Sequence, residues 1–239
     1  VSSGKGVKSR FRHEDFNIDA RSKAFPMAPA LSDLSAISDL IFSAGRTMMP
    51  FMKVNFIKSA KTAKDYPHPF KPEVAIVGRS NAGKSSFLNT LTNCKIAKVS
   101  ATPGKTRLLQ FFDVDGKFYM VDMPGYGFAT GDRSEVDSWK LMIETYLSER
   151  ETLKGIVLVM DIRREWSNEE QMLRDWFDHN GKPWVLVLTK TDKLARSKII
   201  QRAKEFQKSL PNVPVFAVSS LKKTGIDEIK NVLLKEWAQ

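Results

Sequence analysis

Gly78-Arg79-Ser80-Asn81-Ala82-Gly83-Lys84-Ser85 fits the pattern G-x-x-x-x-G-K-[ST], and its flanks supply the context that gives the pattern chemical meaning. The run before it, Glu73-Val74-Ala75-Ile76-Val77, reads as a buried strand. The run after it, Ser86-Phe87-Leu88-Asn89-Thr90-Leu91, reads as a helix with Phe87, Leu88 and Leu91 facing inward. Between a strand and a helix, the glycines let main-chain N–H groups turn toward phosphate oxygens, and the helix N-terminus adds the positive end of its dipole. Residues Gly78 to Ser86 are therefore the expected phosphate cradle. Within it Lys84 would neutralise the β- and γ-phosphates, and the Ser85 hydroxyl would ligate Mg²⁺. Average residue usage at the four fixed positions gives about a one per cent chance of an accidental match in a chain this long.

The cradle does not choose between adenine and guanine. Thr189-Lys190-Thr191-Asp192 does, because it follows the apolar run Val185-Leu186-Val187-Leu188 and so sits at the C-terminal end of a strand, where open α/β sheets place ligands. A carboxylate there can accept from both the N1–H and the 2-amino group of guanine. Adenine lacks that donor pair, and a buried carboxylate left unpaired discriminates against it. Lys190 would lay its stem along the base. A later strand ends in Ser219-Ser220-Leu221, whose main-chain N–H can reach the guanine O6. The expected ligand is GTP or GDP.

Two segments complete the set. Phe118-Tyr119-Met120-Val121-Asp122 is a strand ending in an acid and is followed by Met123-Pro124-Gly125. Asp122 is placed to hold Mg²⁺ through its water shell, and the Gly125 N–H to meet the γ-phosphate. Between cradle and strand lies Thr102-Pro103-Gly104-Lys105-Thr106-Arg107. Thr106 is the preferred switch threonine that reaches Mg²⁺ when the third phosphate is present, with Thr102 as the alternative. Segments of this kind are ordered by γ-phosphate and Mg²⁺ and released on hydrolysis. Hydrolysis usually relies on a glutamine after the switch glycine to orient the attacking water. Here that position is Tyr126, so slow intrinsic turnover is expected, with Lys84, Thr106, Gly125 and Asn81 carrying the chemistry that remains. Asn81 is either a loop-shaping residue or a ligand for K⁺ between the phosphates; a docked partner is the other candidate for the missing group.

The motifs G-R-S-N-A-G-K-S-S, T-P-G-K-T, D-M-P-G-Y-G and T-K-T-D-K, in this order, resemble the EngB (YihA/YsxC) family of GTPases. The resemblance extends from about Met52 to the C-terminus and takes in Phe56 to Ala60 and Asp161-Ile162-Arg163. It implies an α/β P-loop domain with a six-stranded, mostly parallel sheet, one strand of it antiparallel. It also implies a role in assembling the large ribosomal subunit, with rRNA and ribosomal proteins as partners and the chain acting as a monomer. A basic extension ahead of the domain is typical of organellar versions, so a mitochondrial matrix protein is expected, with the cytoplasm as the other option.

Composition agrees with one such domain, residues 52–239, behind a basic extension, residues 1–51. The chain has 239 residues, 42% of them apolar, and a formal net charge of +11. Residues 1–71 hold twelve Lys/Arg against six Asp/Glu, and the remainder 26 against 21, so the excess is denser toward the start. Such a balance suits a polyanionic partner, although no RNA-reading motif is present and contacts would be to backbone and shape. Cys94 is the one cysteine, which leaves no internal disulfide. Apolar runs such as Ile156 to Met160 are core strands, too short to span a membrane, and the C-terminal residues carry no prenylation pattern. Residue 1 is Val, so a targeting peptide is not readable. These features weigh against a signalling or trafficking switch on membranes, and the full phosphate and Mg²⁺ set weighs against an RNA-binding module with a vestigial GTPase.

Residues 1–30 read as a polar arm, and Leu31, Leu34, Ile37, Leu40 and Ile41 as a short helix ended by Gly45. Asn55 to Ser59 is a candidate extra edge strand. Thereafter strands are expected at 73–77, 107–114, 117–122, 155–161, 184–189 and 213–219. Helices are expected at 84–92, 136–149, 168–179, 197–208 and 225–237. Asp115-Gly116 reads as a hairpin turn, the source of the antiparallel strand. Trp166, Trp176 and Trp184 read as packing residues, and His13, His68 and His179 have no metal or triad spacing.

Overall fold

The computed structural model describes residues 52–96, 108–126 and 133–238, with side chains of residues 133–140 excepted. The extension before Met52, its expected helix, and the expected roles of Thr102 and Thr106 lie outside the described residues.

Strands β1 (Val54–Ala60), β2 (Glu73–Gly78), β3 (Leu109–Val114), β4 (Phe118–Asp122), β5 (Leu153–Asp161), β6 (Trp184–Thr189) and β7 (Val215–Ala217) form one sheet. Its order is β1-β3-β4-β2-β5-β6-β7. The six strands of the sequence reading become seven because the candidate edge strand is real: β1 pairs antiparallel with β3, from Val54 opposite Val114 to Ala60 opposite Leu109. β3 is also antiparallel to β4, joined through the Asp115-Gly116 turn, where both residues have positive φ. Among the described residues β3 is thus the one antiparallel strand, and all other pairings are parallel.

Helices α1 (Lys84–Thr92), α2 (Arg133–Glu149), α3 (Asn168–His179), α4 (Arg196–Ser209) and α5 (Ile226–Val232) cover both faces, and α5 runs on into a π turn over Leu233–Trp237. Period-two alternation divides the strands between two cores. Ala75, Val77, Ile156, Leu158, Met160, Leu186 and Leu188 face Tyr146, Leu147, Phe177, Ala203 and Phe206 from α2, α3 and α4. Val74, Ile76, Val157, Val159, Val185 and Val187 face Phe87, Leu88 and Leu91 of α1 and Ile229 of α5, with Leu233 and Trp237 beyond it. Because both faces are buried, the central strands are near-continuous apolar runs rather than alternating ones.

One buried ion pair pins the N-terminal edge of this sheet. Glu73, fully buried at the start of β2, takes Arg150 Nη2 at 2.5 Å and the Tyr146 hydroxyl at 2.7 Å. Arg150 also donates to the Pro67 carbonyl, at 2.7 Å. The end of α2 is thereby tied to the strand that leads into the phosphate loop.

The order of strands positions the site. β2 has parallel neighbours on both sides, β4 and β5: the chain runs from β2 through β3 to β4 on one side, then crosses over to β5 on the other. A crevice opens at such a reversal beyond the strand's carboxyl end. The loop 78–85 lies there.

Candidate functional site: a phosphate loop and a purine-reading edge

Gly83 is the residue before α1 and has φ +97°, a conformation that a side chain would strain. Asn81 is left-handed as well, at φ +62°. These two turns present the loop around the N-terminus of α1, where unpaired N–H groups and the helix dipole favour an anion. Lys84, at that terminus, donates from Nζ to the Gly78 carbonyl at 2.9 Å and lies 3.4 Å from that of Arg79. Ser85 and Ser86 follow in the first turn of α1 and are half-buried.

Asp122 closes β4 beside the loop and is 3% exposed. Among the described residues its Oδ1 has no hydrogen-bond partner. Burial pushes its carboxyl up to about 6, with the Lys84 ammonium pulling the other way. The same burial lowers Lys84, and Asp122 opposes that shift. Gly125 comes so close to the loop that a Cβ there would stand 2.8 Å from Ser80 N and 2.9 Å from Lys84 Nζ. The Ser80 N–H donates to the Tyr126 carbonyl at 2.9 Å. The structure thus brings Gly78 to Ser86, Asp122 and Gly125 together at one end of the sheet.

The other expected residues converge from β6 and β7. Thr189 is buried, and its hydroxyl lies 2.5 Å from the Ala82 carbonyl and 3.1 Å from that of Met160. Lys190, left-handed at φ +59°, crosses over the loop: its Nζ donates to the Asn81 carbonyl at 2.7 Å and pairs with Asp161 at 3.1 Å. Its stem runs past Gly83, where an added Cβ would meet Lys190 Cε at 3.8 Å. Asp192 Oδ1 accepts from the Ser219 hydroxyl at 2.7 Å, and Ser219 is itself held in a bridge with Thr224. Ser220 is half-buried beside α1, its carbonyl 3.5 Å from the Thr90 hydroxyl. Leu221 is 76% exposed, so its side chain is not part of the pocket wall. Ser219 differs from the sequence reading in kind: its side chain positions the aspartate.

Asp161 was legible only as part of a family motif, yet it organises this edge. Burial pushes its carboxyl up, and bonds from Arg163 and Lys190 more than reverse that, to about 2. Arg163 meets it with two bonds, Nε to Oδ1 at 2.9 Å and Nη2 to Oδ2 at 2.7 Å. Glu169 and Glu170, at the start of α3, also went unread. The pattern Ser167-Asn168-Glu169-Glu170 is a capping box and was the available signal. Beside the loop a cleft of ≈ 360 Å³ is lined by residues that include Arg79, Asn81, Asp161, Arg163 and Glu170. Among the described residues no helix is long and apolar enough to cross a membrane.

This combination of a phosphate loop, a buried strand-end aspartate and a T-K-x-D edge on one parallel sheet defines a P-loop GTPase. Residues 73–190 match the profile of a family described as "50S ribosome-binding GTPase". The probable GTP-binding protein EngB of Bdellovibrio bacteriovorus is 53% identical over 184 residues, 77% of this chain and 92% of that protein. The corresponding protein of Clostridium beijerinckii is 43% identical over 194 residues, 80% and 98% of the two chains. A crystal structure of a probable GTP-binding protein engB superposes with a TM-score of 0.55 at 22% identity, covering 68% of this chain and 97% of that one. The chain belongs to the EngB family of GTP-binding proteins. It is a GTP hydrolase of that family.

Proposed function

We propose that the chain uses GTP binding and hydrolysis to time its attachment to a maturing large ribosomal subunit. The observation that carries this reading is the match of residues 73–190 to a ribosome-binding GTPase profile, a span that contains both the phosphate loop and Thr189-Lys190. The net charge of +11 suits a partner rich in RNA phosphate. In this reading the N–H groups around Gly78 to Ser86 hold the phosphates and Lys84 leaves the loop carbonyls for the β- and γ-phosphates. Asp192, held by Ser219, accepts from guanine, Lys190 covers the base, and Ser220 and Leu221 supply main-chain N–H groups near O6.

A divalent cation fits the arrangement. Asp122 keeps a buried, unpartnered oxygen close enough to Lys84 for each to shift the other's titration, and Ser85 opens the helix beside it. Mg²⁺ keeps several waters and takes few protein ligands, so Ser85 and Asp122, with Thr106 from the first switch, suffice as its donors. Bound there, it would neutralise charge on the β- and γ-phosphates. Gly125 then offers its N–H to the γ-phosphate. Asn81 is exposed at the crest of the loop, its main-chain carbonyl taken by Lys190, and its side-chain carbonyl would help hold K⁺ against the phosphates. Tyr126 supplies no group to orient water, since its hydroxyl is committed to Glu170 at 2.7 Å; intrinsic turnover is accordingly slow.

Gradient sedimentation tests the reading. The full chain, loaded with a non-hydrolysable GTP analogue, should travel with large-subunit particles and leave them in GDP or at raised salt. Running bacterial and mitochondrial particles in parallel identifies the ribosome. Absence of association with either refutes the ribosomal role. Turnover in KCl against NaCl at equal ionic strength tests Asn81: equal rates remove K⁺ from the site.

A further inference from the structure

Tyr126 joins three parts of the molecule. Its carbonyl accepts the Ser80 N–H of the phosphate loop at 2.9 Å, its chain neighbour Gly125 rests against Ser80 and Lys84, and its hydroxyl donates to Glu170 Oε1 at 2.7 Å. Both Tyr126 and Glu170 are buried. Glu170 uses its other oxygen for the cap of α3, accepting from Ser167 N at 3.0 Å and from the Ser167 hydroxyl. The adjacent acid makes a matching connection: Glu169 Oε1 takes Arg79 Nη1 at 3.3 Å. Two successive carboxylates in the first turn of α3 therefore hold the loop on one side and the switch residue on the other.

A capping box needs its glutamate only for the Ncap N–H; it has no need of a tyrosine. Burying a phenol and a carboxylate together costs the hydration of both, and the return is a charge-assisted bond of defined length and direction. That bond fixes the backbone at Gly125–Tyr126 relative to the loop. Phosphoryl transfer is governed by the placement of donors around the γ-phosphate, so an anchor one residue from Gly125 acts on the reaction without reaching it.

We propose that Glu170 is a positioning residue for GTP hydrolysis: through the Tyr126 hydroxyl it sets where the Gly125–Tyr126 backbone lies over the phosphate loop, coupling the start of α3 to the γ-phosphate end of the site. Tyr126, by this account, holds the place usually given to a water-orienting glutamine but works as a strut.

The test uses the full chain, with single-turnover GTP hydrolysis, KM, GDP affinity from a fluorescent analogue, and thermal melting for each variant. Tyr126→Phe keeps the ring and removes the bond; kcat should fall roughly tenfold, with KM and GDP affinity within about twofold of the parent. Glu170→Gln can still accept from the phenol and should retain more kcat than Tyr126→Phe. Ser167→Ala breaks the cap while leaving the Tyr126–Glu170 bond, and should lower the melting temperature while leaving kcat in place. The double variant Tyr126→Phe with Glu170→Ala should lose no more kcat than Glu170→Ala alone. Undiminished kcat in Tyr126→Phe overturns the proposal. So does an equal loss in Ser167→Ala, which would make the effect one of helix stability, or additive losses in the double variant. Should Tyr126→Phe fail to fold, the comparison of Glu170→Ala with Ser167→Ala decides: kcat must fall in the first and hold in the second, and equal values overturn the proposal.

Discussion

The two ends of the nucleotide crevice are built on opposite electrostatic plans. At the purine-reading edge each of the named polar side chains is held by the protein: Asp192 by Ser219, Lys190 by Asp161 and the Asn81 carbonyl, Thr189 by the Ala82 and Met160 carbonyls. At the phosphate end Asp122 is buried with an oxygen unpartnered, its carboxyl pushed up to about 6, and Lys84 is pushed down. Selectivity among bases needs preorganised geometry, since a wrong base is rejected by leaving fixed groups unpaired. Affinity for a charged tail is served differently. Desolvated charges that are poorly compensated by the protein gain the most from phosphate and a divalent cation.

Substitutions at the two ends should therefore differ in kind. The largest effect belongs to Lys84→Ala, which leaves Asp122 and the phosphates without their buried cation. GTP affinity measured by calorimetry should fall on the order of a thousandfold, and near-parental binding would contradict the phosphate assignment. Asp192→Asn comes next. Competition between GTP and ATP should show guanine preference reduced about a hundredfold, with phosphate binding intact. An unchanged ratio would remove Asp192 from base recognition.

Asp122→Asn sharpens the contrast because its stability effect has the opposite sign from that of most buried substitutions. A carboxyl raised from 3.8 to about 6 in the folded state binds its proton more tightly there than in the unfolded chain. The folded protein thus loses stability as pH rises through that window. Without nucleotide, the variant should melt higher than the parent at pH 7.5, by the equivalent of about 3 kcal/mol, with the advantage gone at about pH 3. A lower melting point at pH 7.5 would show that Asp122 is compensated in the free protein.

The smallest effect is the converse, at the base edge. Asp161 is held at about 2 by Arg163 and Lys190. Its contribution is present above the ordinary carboxylate range and is lost as pH falls through the folded value. Asp161→Asn should destabilise the protein at pH 7 by about 1 kcal/mol, discounted because Arg163 is partly in solvent. Melts between pH 4 and 2 should show the difference closing; a constant difference would assign it to packing.

The β2–loop–α1 unit was legible because it is local. Chain neighbours supply the buried strand, the glycine turn and the helix face, and α1 runs over Lys84–Thr92, as the apolar spacing requires. The strands at 184–189 and the hairpin at Asp115-Gly116 were legible for the same reason. β1 was readable only as a candidate, because an edge strand has one partner and its pattern is weak: Asn55, Phe56 and Ile57 are all exposed. Likewise α5, at Ile226–Val232, is shorter than the expected 225–237. It gives way to a π turn at Leu233 as Trp237 packs against Gly155.

Sequence by itself determined the chemistry: a triphosphate cradle, a guanine-reading aspartate and an acid for the cation, each written in a few contiguous residues with their own flanking elements. Only the tertiary structure decided how those groups are held. The Tyr126–Glu170 bond spans 44 residues, Ser219–Asp192 spans 27 and Lys190 to the Asn81 carbonyl spans 109. A local pattern fixes dihedral angles and the face a side chain occupies. Which distant polar atom it meets depends on the order of strands in the sheet, and that order is set by burying both apolar faces at once.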